Sequence, residues 1–371
     1  HTPISFAGDL SLATEWERLL RLVSTVKALD NAPQGQIYYG LVATQNGGDT
    51  WVGNSSFIAG IGWIGDRAAV SLDLGSTRQE TTGRIAAHEI GHNHGRFHAP
   101  CGALGSTSQP YPYSGALIGP DNVGYDYASN RVWVPGTPDQ ARDIMSYCTP
   151  QWMSDFTYRG IYDNARTANT LVADPGINGV LVRVQFDGYG IPSLAPVYEV
   201  EQVAMQGIGQ SAYTAELLDT RGAVIASYPL EVTLAQNEPP ISVDAQGGMR
   251  SAGEEARPTA SIIAVLPMPS QPVARIRITR QGASIAEQAI MSRTTHSSPL
   301  ATLERGASGA VLRWTPADRP ALVRYSADGQ RWITLGVDVL GGMLPIDARL
   351  DLNGTFKVIP AGGQAMTASG V

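Results

Sequence analysis

The period of the apolar positions changes once along this chain, near residue 172. Residues 11–29 place Leu12, Trp16, Leu19, Leu20, Val23, Val26 and Leu29 at helical spacing. Residues 36–43 and 67–74 read as buried strands. A helical pattern returns over 76–94, with Ser76 or Thr77 as N-cap and Glu80 in the first turn. From 99 to 142 the pattern gives way to Pro, Gly, Tyr and Asn, as in a long structured loop. Ser154 or Asp155 caps a further helix to about residue 168, with Phe156, Ile161 and Tyr162 on its apolar side. Beyond 172 the chain alternates apolar and polar residues in short runs. Hairpins are expected at 216–228 (turning at Thr220–Gly222), at 274–288 (turning at Gln281–Gly282) and at 323–335 (turning at Asp328–Gly329). Turn signals at such intervals predict β-sandwiches. The expectation is an α+β domain over 1–172, built on a mixed sheet packed with helices. Two all-β sandwich domains follow, at 173–297 and 298–371, the last fibronectin- or Ig-like.

Composition removes some partners. The net charge of −7 and a pI near 5.4 argue against nucleic acid or an anionic membrane surface. No apolar run reaches the ~18 residues of a membrane-spanning helix. Lys27 and Lys357 are the only lysines, an arginine skew expected of a GC-rich bacterial genome. The chain starts at His1 and reads as a processed form or a cut piece, with room for an export signal in what precedes it.

Candidate chemistry concentrates in residues 88–98, HEIGHNHGRFH. His88 and His92 are i and i+4 on the second helix, the spacing at which two imidazoles share one zinc ion. His98 can join them only if the helix stops, and Gly95 is placed to end it in a left-handed turn. Three histidines leave a fourth zinc position open, the catalytic arrangement. Glu89, next to the first ligand, is placed as general base and then general acid toward a water at that position.

HExxHxxGxxH resembles the signature of the metzincin zinc metalloproteases, which makes the first domain metzincin-like. DIMSYC at 143–148 fits the methionine turn of that family, with Met145 as the turn residue. Tyr147 holds the place of a tyrosine that, in serralysins and astacins, binds zinc at rest and swings out to stabilise the oxyanion. His92–Asn93 is similar to adamalysins; Ala99 departs from the residue each of these groups places after the third histidine. The segment at 143–158 looks most like secreted bacterial metzincins with added β-domains. The resemblance implies one catalytic zinc and an extended peptide substrate added antiparallel to an edge strand above the cleft. The order of elements assigns that strand to 67–74, with Ala69, Val70, Ser71 and Leu72 as substrate contacts; an ordinary interior strand is the alternative.

Cys101 lies three residues after His98, and Cys148 three after Met145. If both motifs frame one metal the two are neighbours, and a disulfide implies an oxidising compartment, hence a secreted, periplasmic or cell-surface protein; free thiols or a thiolate ligand are the other readings. His94, at i+2 from His92, faces away from the metal, and His1 and His296 are incidental. Asp121, Asn122 and Asp126 carry a weaker calcium reading, against a tyrosine-rich cleft wall. The β-domains would recognise a glycoprotein or cell-surface target. Two functions follow: a secreted zinc endopeptidase, or an adhesin or glycan-binding protein with a vestigial zinc site.

Overall fold

The computed structural model describes residues 4–369 except 5, 7, 34, 44–56, 103–107, 128, 139, 169–175, 188, 237, 239–240, 244–248, 252–258, 291–299 and 307–308. The expected boundaries at 172/173 and 297/298, together with His1 and His296, lie outside the described residues.

The N-terminal part opens with helix α1 (Ala13–Leu29). Its apolar stripe packs on a three-stranded mixed sheet in the order β1 (Tyr38–Ala43), β3 (Ala68–Asp73), β2 (Gly60–Gly62). Trp16, Leu20, Trp63, Val70, Leu72 and Ile85 share that core. Two indoles find polar partners within it: Trp16 Nε1 donates to the Leu10 carbonyl (2.9 Å) and Trp63 Nε1 to Ser24 Oγ (2.6 Å). Leu12, expected on the buried stripe, precedes the helix and is exposed.

β1 runs parallel to β3, and β2 antiparallel to it. This corrects the placing of 67–74 at the edge. β3 is the middle strand, and Ala69, Val70, Ser71 and Leu72 are fully buried with neighbours paired on both sides. A strand paired on both sides has no main-chain groups left for a peptide, so the edge beside the histidines falls to Gly60–Gly62. β1, expected to be buried, is half-exposed because it forms the other edge.

Helix α2 (Gln79–Asn93) packs on β2 and β3. Residues Ser76–Arg78 form a short 3-10 turn ahead of it, so neither Ser76 nor Thr77 is its N-cap. Helix α3 (Asp155–Ala168) begins as expected, the Thr157 N–H donating to Ser154 Oγ (3.0 Å).

Beyond α3 the described residues form β-sheets alone. A five-stranded sheet runs in the order Tyr198–Val203, Ile177–Phe186, Thr259–Pro267, Thr233–Ala235, with Pro192–Leu194 beside Ile177–Phe186. It shares one core with a four-stranded sheet that includes Tyr213–Leu218 and Arg275–Arg280. A second pair of sheets encloses Leu312, Trp314, Val323, Phe356 and Val358. All three expected hairpins form. The tightest turns at Gln281 (φ 50°) and Gly282 (φ 82°), the two positive angles that a two-residue turn needs to match strand twist. At the joint between these parts, Leu29 meets Leu181, Tyr198, Val265, Leu322 and Ile359.

Candidate metal centre

The site is built from the C-terminal end of α2. His88 and His92 lie one turn apart on one face, with ring centroids 4.9 Å apart. The helix stops as Gly95 requires: its φ is +76°, its N–H donates to the His92 carbonyl (2.8 Å), and the Arg96 N–H donates to the Gly91 carbonyl (3.0 Å). This paired closure with a left-handed residue satisfies the last helical carbonyls and reverses the chain. A Cβ at Gly95 would meet nothing within 4 Å, so glycine is needed for conformation and not for space. The reversal brings the His98 ring to 5.2 Å from His88 and 5.0 Å from His92. Asn93 ties the helix end to the sheet, donating to the carbonyls of Trp63 (3.0 Å) and Ala68 (2.8 Å).

The Asp143–Tyr147 turn lies under this cluster. Asp143 Oδ1 accepts from the Met145 N–H (2.8 Å) and Oδ2 from the Ser154 N–H (2.9 Å). Met145 is buried against Gly91, where a Cβ would run into its sulfur. The Met145 carbonyl accepts from the Ala99 N–H (2.9 Å), and the Ile144 carbonyl lies 2.9 Å from His88 Nδ1. The turn therefore orients one candidate ligand and holds the strand leading from another. Tyr147 is buried with its ring 5.3 Å from His88 and 5.4 Å from His98. A disulfide joins Cys101 to Cys148, Cα to Cα 5.6 Å, so the bonded reading of the cysteines is the correct one.

Glu89, one residue after His88 on α2, lies against the edge strand. A Cβ at Gly60 would come within 2.6 Å of its carboxylate, and one at Gly62 within 2.7 Å of its carbonyl. Two glycines in β2 thus let the helix seat this acid beside the sheet edge. Glu89 is buried, and its Oε2 has no hydrogen-bond partner. Burial pushes its carboxyl well above the ordinary range, and the nearby Glu238 adds to the rise.

Glu238 is the residue that the sequence reading missed. It is 4% exposed, and its carboxylate lies 3.1 Å from His92 Nε2, 3.2 Å from His98 Nε2 and 3.7 Å from His88 Nε2. Nothing in its local sequence, QNEPP, marks it as a ligand; it is 140 residues from His98. Among the described residues, His88, His92, His98 and Glu238 form the one group of three or more such side chains able to hold a metal ion. At the weaker calcium candidate, Asn122 Nδ2 donates to the Ile118 carbonyl (3.0 Å), and Asp126 accepts from the Ser129 hydroxyl (2.5 Å).

The donor chemistry fits a divalent cation. His88 and His92 each hold Nδ1 against a main-chain carbonyl, of Ile144 (2.9 Å) and Arg96 (2.6 Å). That fixes the proton on Nδ1 and turns the Nε2 lone pair toward the centre. Burial pushes His88 down to about 3, so its ring is neutral. Burial alone would raise the Glu238 carboxyl. Its contacts with the His98, His88 and His92 imidazoles outweigh burial and hold Glu238 below the usual carboxylate range. A buried carboxylate facing imidazole lone pairs needs a positive partner, and His88 Nε2 is buried without a hydrogen bond. Four donors around one ion at bond lengths of about 2.0–2.1 Å sit roughly 3.3 Å apart; here Glu238 lies 3.1–3.7 Å from the three Nε2 atoms, and all four donors lie within 4.8 Å of one another.

His94 faces away from this centre, as expected, meeting Arg67 Nη1 (2.9 Å) and Asn164 Oδ1 (3.1 Å). No helix among the described residues is long and apolar enough to cross a membrane. No family model, curated protein or solved structure matches this chain.

Proposed function

We propose that this chain is a zinc-dependent endopeptidase of the metzincin kind, acting outside the cytoplasm on extended segments of proteins or glycoproteins. The observation that carries the reading is a buried carboxylate, Glu89, one residue along the helix from the first of three imidazoles that converge on one point. Zinc bound by His88, His92 and His98 would supply Lewis acidity toward a peptide carbonyl and acidify water. Glu89 takes the proton of the attacking water and returns it to the leaving amine. Its low-dielectric seat against β2 favours the protonated intermediate state between those two transfers. Tyr147, its ring beside two of the imidazoles, would donate its hydroxyl to the oxyanion. The edge of β2 offers main-chain pairing to an extended substrate.

The test is Glu89→Gln, which keeps the shape of the side chain and removes the base. The variant is expected to retain one zinc per chain and to lose turnover of casein by about 10²–10⁴-fold; unimpaired cleavage would end the reading.

A second reading is favoured by Glu238. Four protein donors close a zinc site, and closed sites are structural. The chain would then be an adhesin or glycan-binding protein whose metal only braces the fold. Casein or mucin assayed with and without chelator separates the two, since a structural metal supports no chelator-sensitive cleavage.

A further inference from the structure

The strand that carries Glu238 belongs to the β-rich part of the chain, yet it continues into the cleft of the N-terminal part. Residues Thr233–Ala235 form the last strand of their five-stranded sheet, paired on one side with Ser261, Ala260 and Thr259. Their other side meets the continuation of β2. The Ile64 N–H donates to the Leu234 carbonyl (2.8 Å), and Trp63 and Ala235 form an antiparallel bridge. One residue on, Gln236 Oε1 accepts from the His98 N–H (3.1 Å). Two residues further, Glu238 reaches all three imidazoles, and both its oxygens lie 3.2 Å from His98 Nε2. Thr233–Ala235 thus lie at the sheet edge, with Gln236 and Glu238 on the metal ligands, where an extended peptide held by strand addition would lie.

We propose that Glu238 is a fourth protein ligand of the metal site, and that Thr233–Gln236 together with Glu238 occupy the place of the substrate, so the folded chain is a latent enzyme. The inference rests on the peptidase reading for the word latent, but not for the ligand assignment. A carboxylate in the fourth position excludes the water that Glu89 would otherwise activate. The segment is held by a three-residue strand and a few polar contacts. Its displacement, by a competing partner or by a cut in the chain, would open the fourth ligand position and free the main chain of Trp63 and Ile64 next to β2.

The experiment uses the full chain, its Glu238→Ala and Glu238→Gln variants, and Glu89→Gln as control, each loaded with zinc or with cobalt. If Glu238 is a ligand, both Glu238 variants lose zinc to a competing chelator at least ten-fold more readily than the parent. The visible spectrum of the cobalt form also changes, whereas Glu89→Gln leaves it alone. Retention and spectra identical to the parent overturn the ligand assignment. If the segment is a plug, Glu238→Ala cleaves casein at least ten-fold faster than the parent. Equal cleavage by parent and variant overturns latency. An altered cobalt spectrum with no chelator-sensitive cleavage by any form upholds the ligand and refutes the peptidase reading, so the two failures are distinct. Glu238→Gln, which keeps the volume of the side chain, answers for the alanine variant should the latter fail to fold.

Discussion

Gly95 shows how one residue sets the site. With φ at +76° and open space where a Cβ would go, its substitution tests conformation alone. Gly95→Ala is expected to cost about 1–2 kcal/mol, the penalty of a left-handed angle for an L-residue, and to lower zinc retention, because His98 lies on the chain that this turn redirects. Parallel melting and chelator-competition curves check both effects; an unchanged melting temperature would mean that the turn is not under this constraint. Glu89 shows the opposite dependence. Its position on α2 is set by the helical repeat, but its burial depends on two glycines of a strand distant in sequence.

Among elements, the loop after the third histidine and the methionine turn act together. The Tyr147 N–H donates to the Cys101 carbonyl (2.9 Å), the Ala99 N–H to the Met145 carbonyl (2.9 Å), and the disulfide closes a 47-residue separation over these contacts. Closing a loop of that length contributes up to ~4 kcal/mol in the chain-entropy model. Replacing both cysteines by serine is expected to lower the melting temperature by several degrees and to loosen the carbonyl that orients His88. Melting in the presence and absence of zinc reads both, since the bound metal restores part of the loss. The two sheet edges that meet at Trp63 and Ala235 make a related point. They are joined by one antiparallel bridge and by the Ile64 N–H donating to the Leu234 carbonyl (2.8 Å).

At the scale of the molecule, the end of α1 joins the three parts. Asp30 accepts from the Thr334 N–H (2.7 Å) and from the Tyr38 hydroxyl (3.3 Å), and Arg324 donates to the Leu29 carbonyl (2.6 Å). Burial pushes the Asp30 carboxyl from 3.8 up to about 6, despite the lowering effects of Thr334 and Arg324. A carboxyl whose pKa is raised by folding binds its proton more tightly in the folded chain. Its contribution to stability is therefore complete below about pH 4 and is lost as the pH rises through 6. Melting temperature against pH should fall across this window more steeply for the parent than for Asp30→Asn. The difference between the two profiles isolates this group, and superimposable profiles would exclude it.

Helices α1, α2 and α3, the hairpins, the three histidines and the glycine turn were legible in the chain because each depends on neighbours within a few residues: a helical repeat, a positive φ, a cap. The cysteine pairing was legible one step further, through two short motifs that had to share one centre. Which strand lies at the sheet edge was not legible, because β2 and β3 are both short apolar runs and pairing, not pattern, makes one central and the other an edge. Glu238 was beyond reach for the same reason in stronger form. A lone glutamate in a β-rich segment has the same local sequence whether it faces solvent or three imidazoles, and only the docking of one sheet edge on another decides between them.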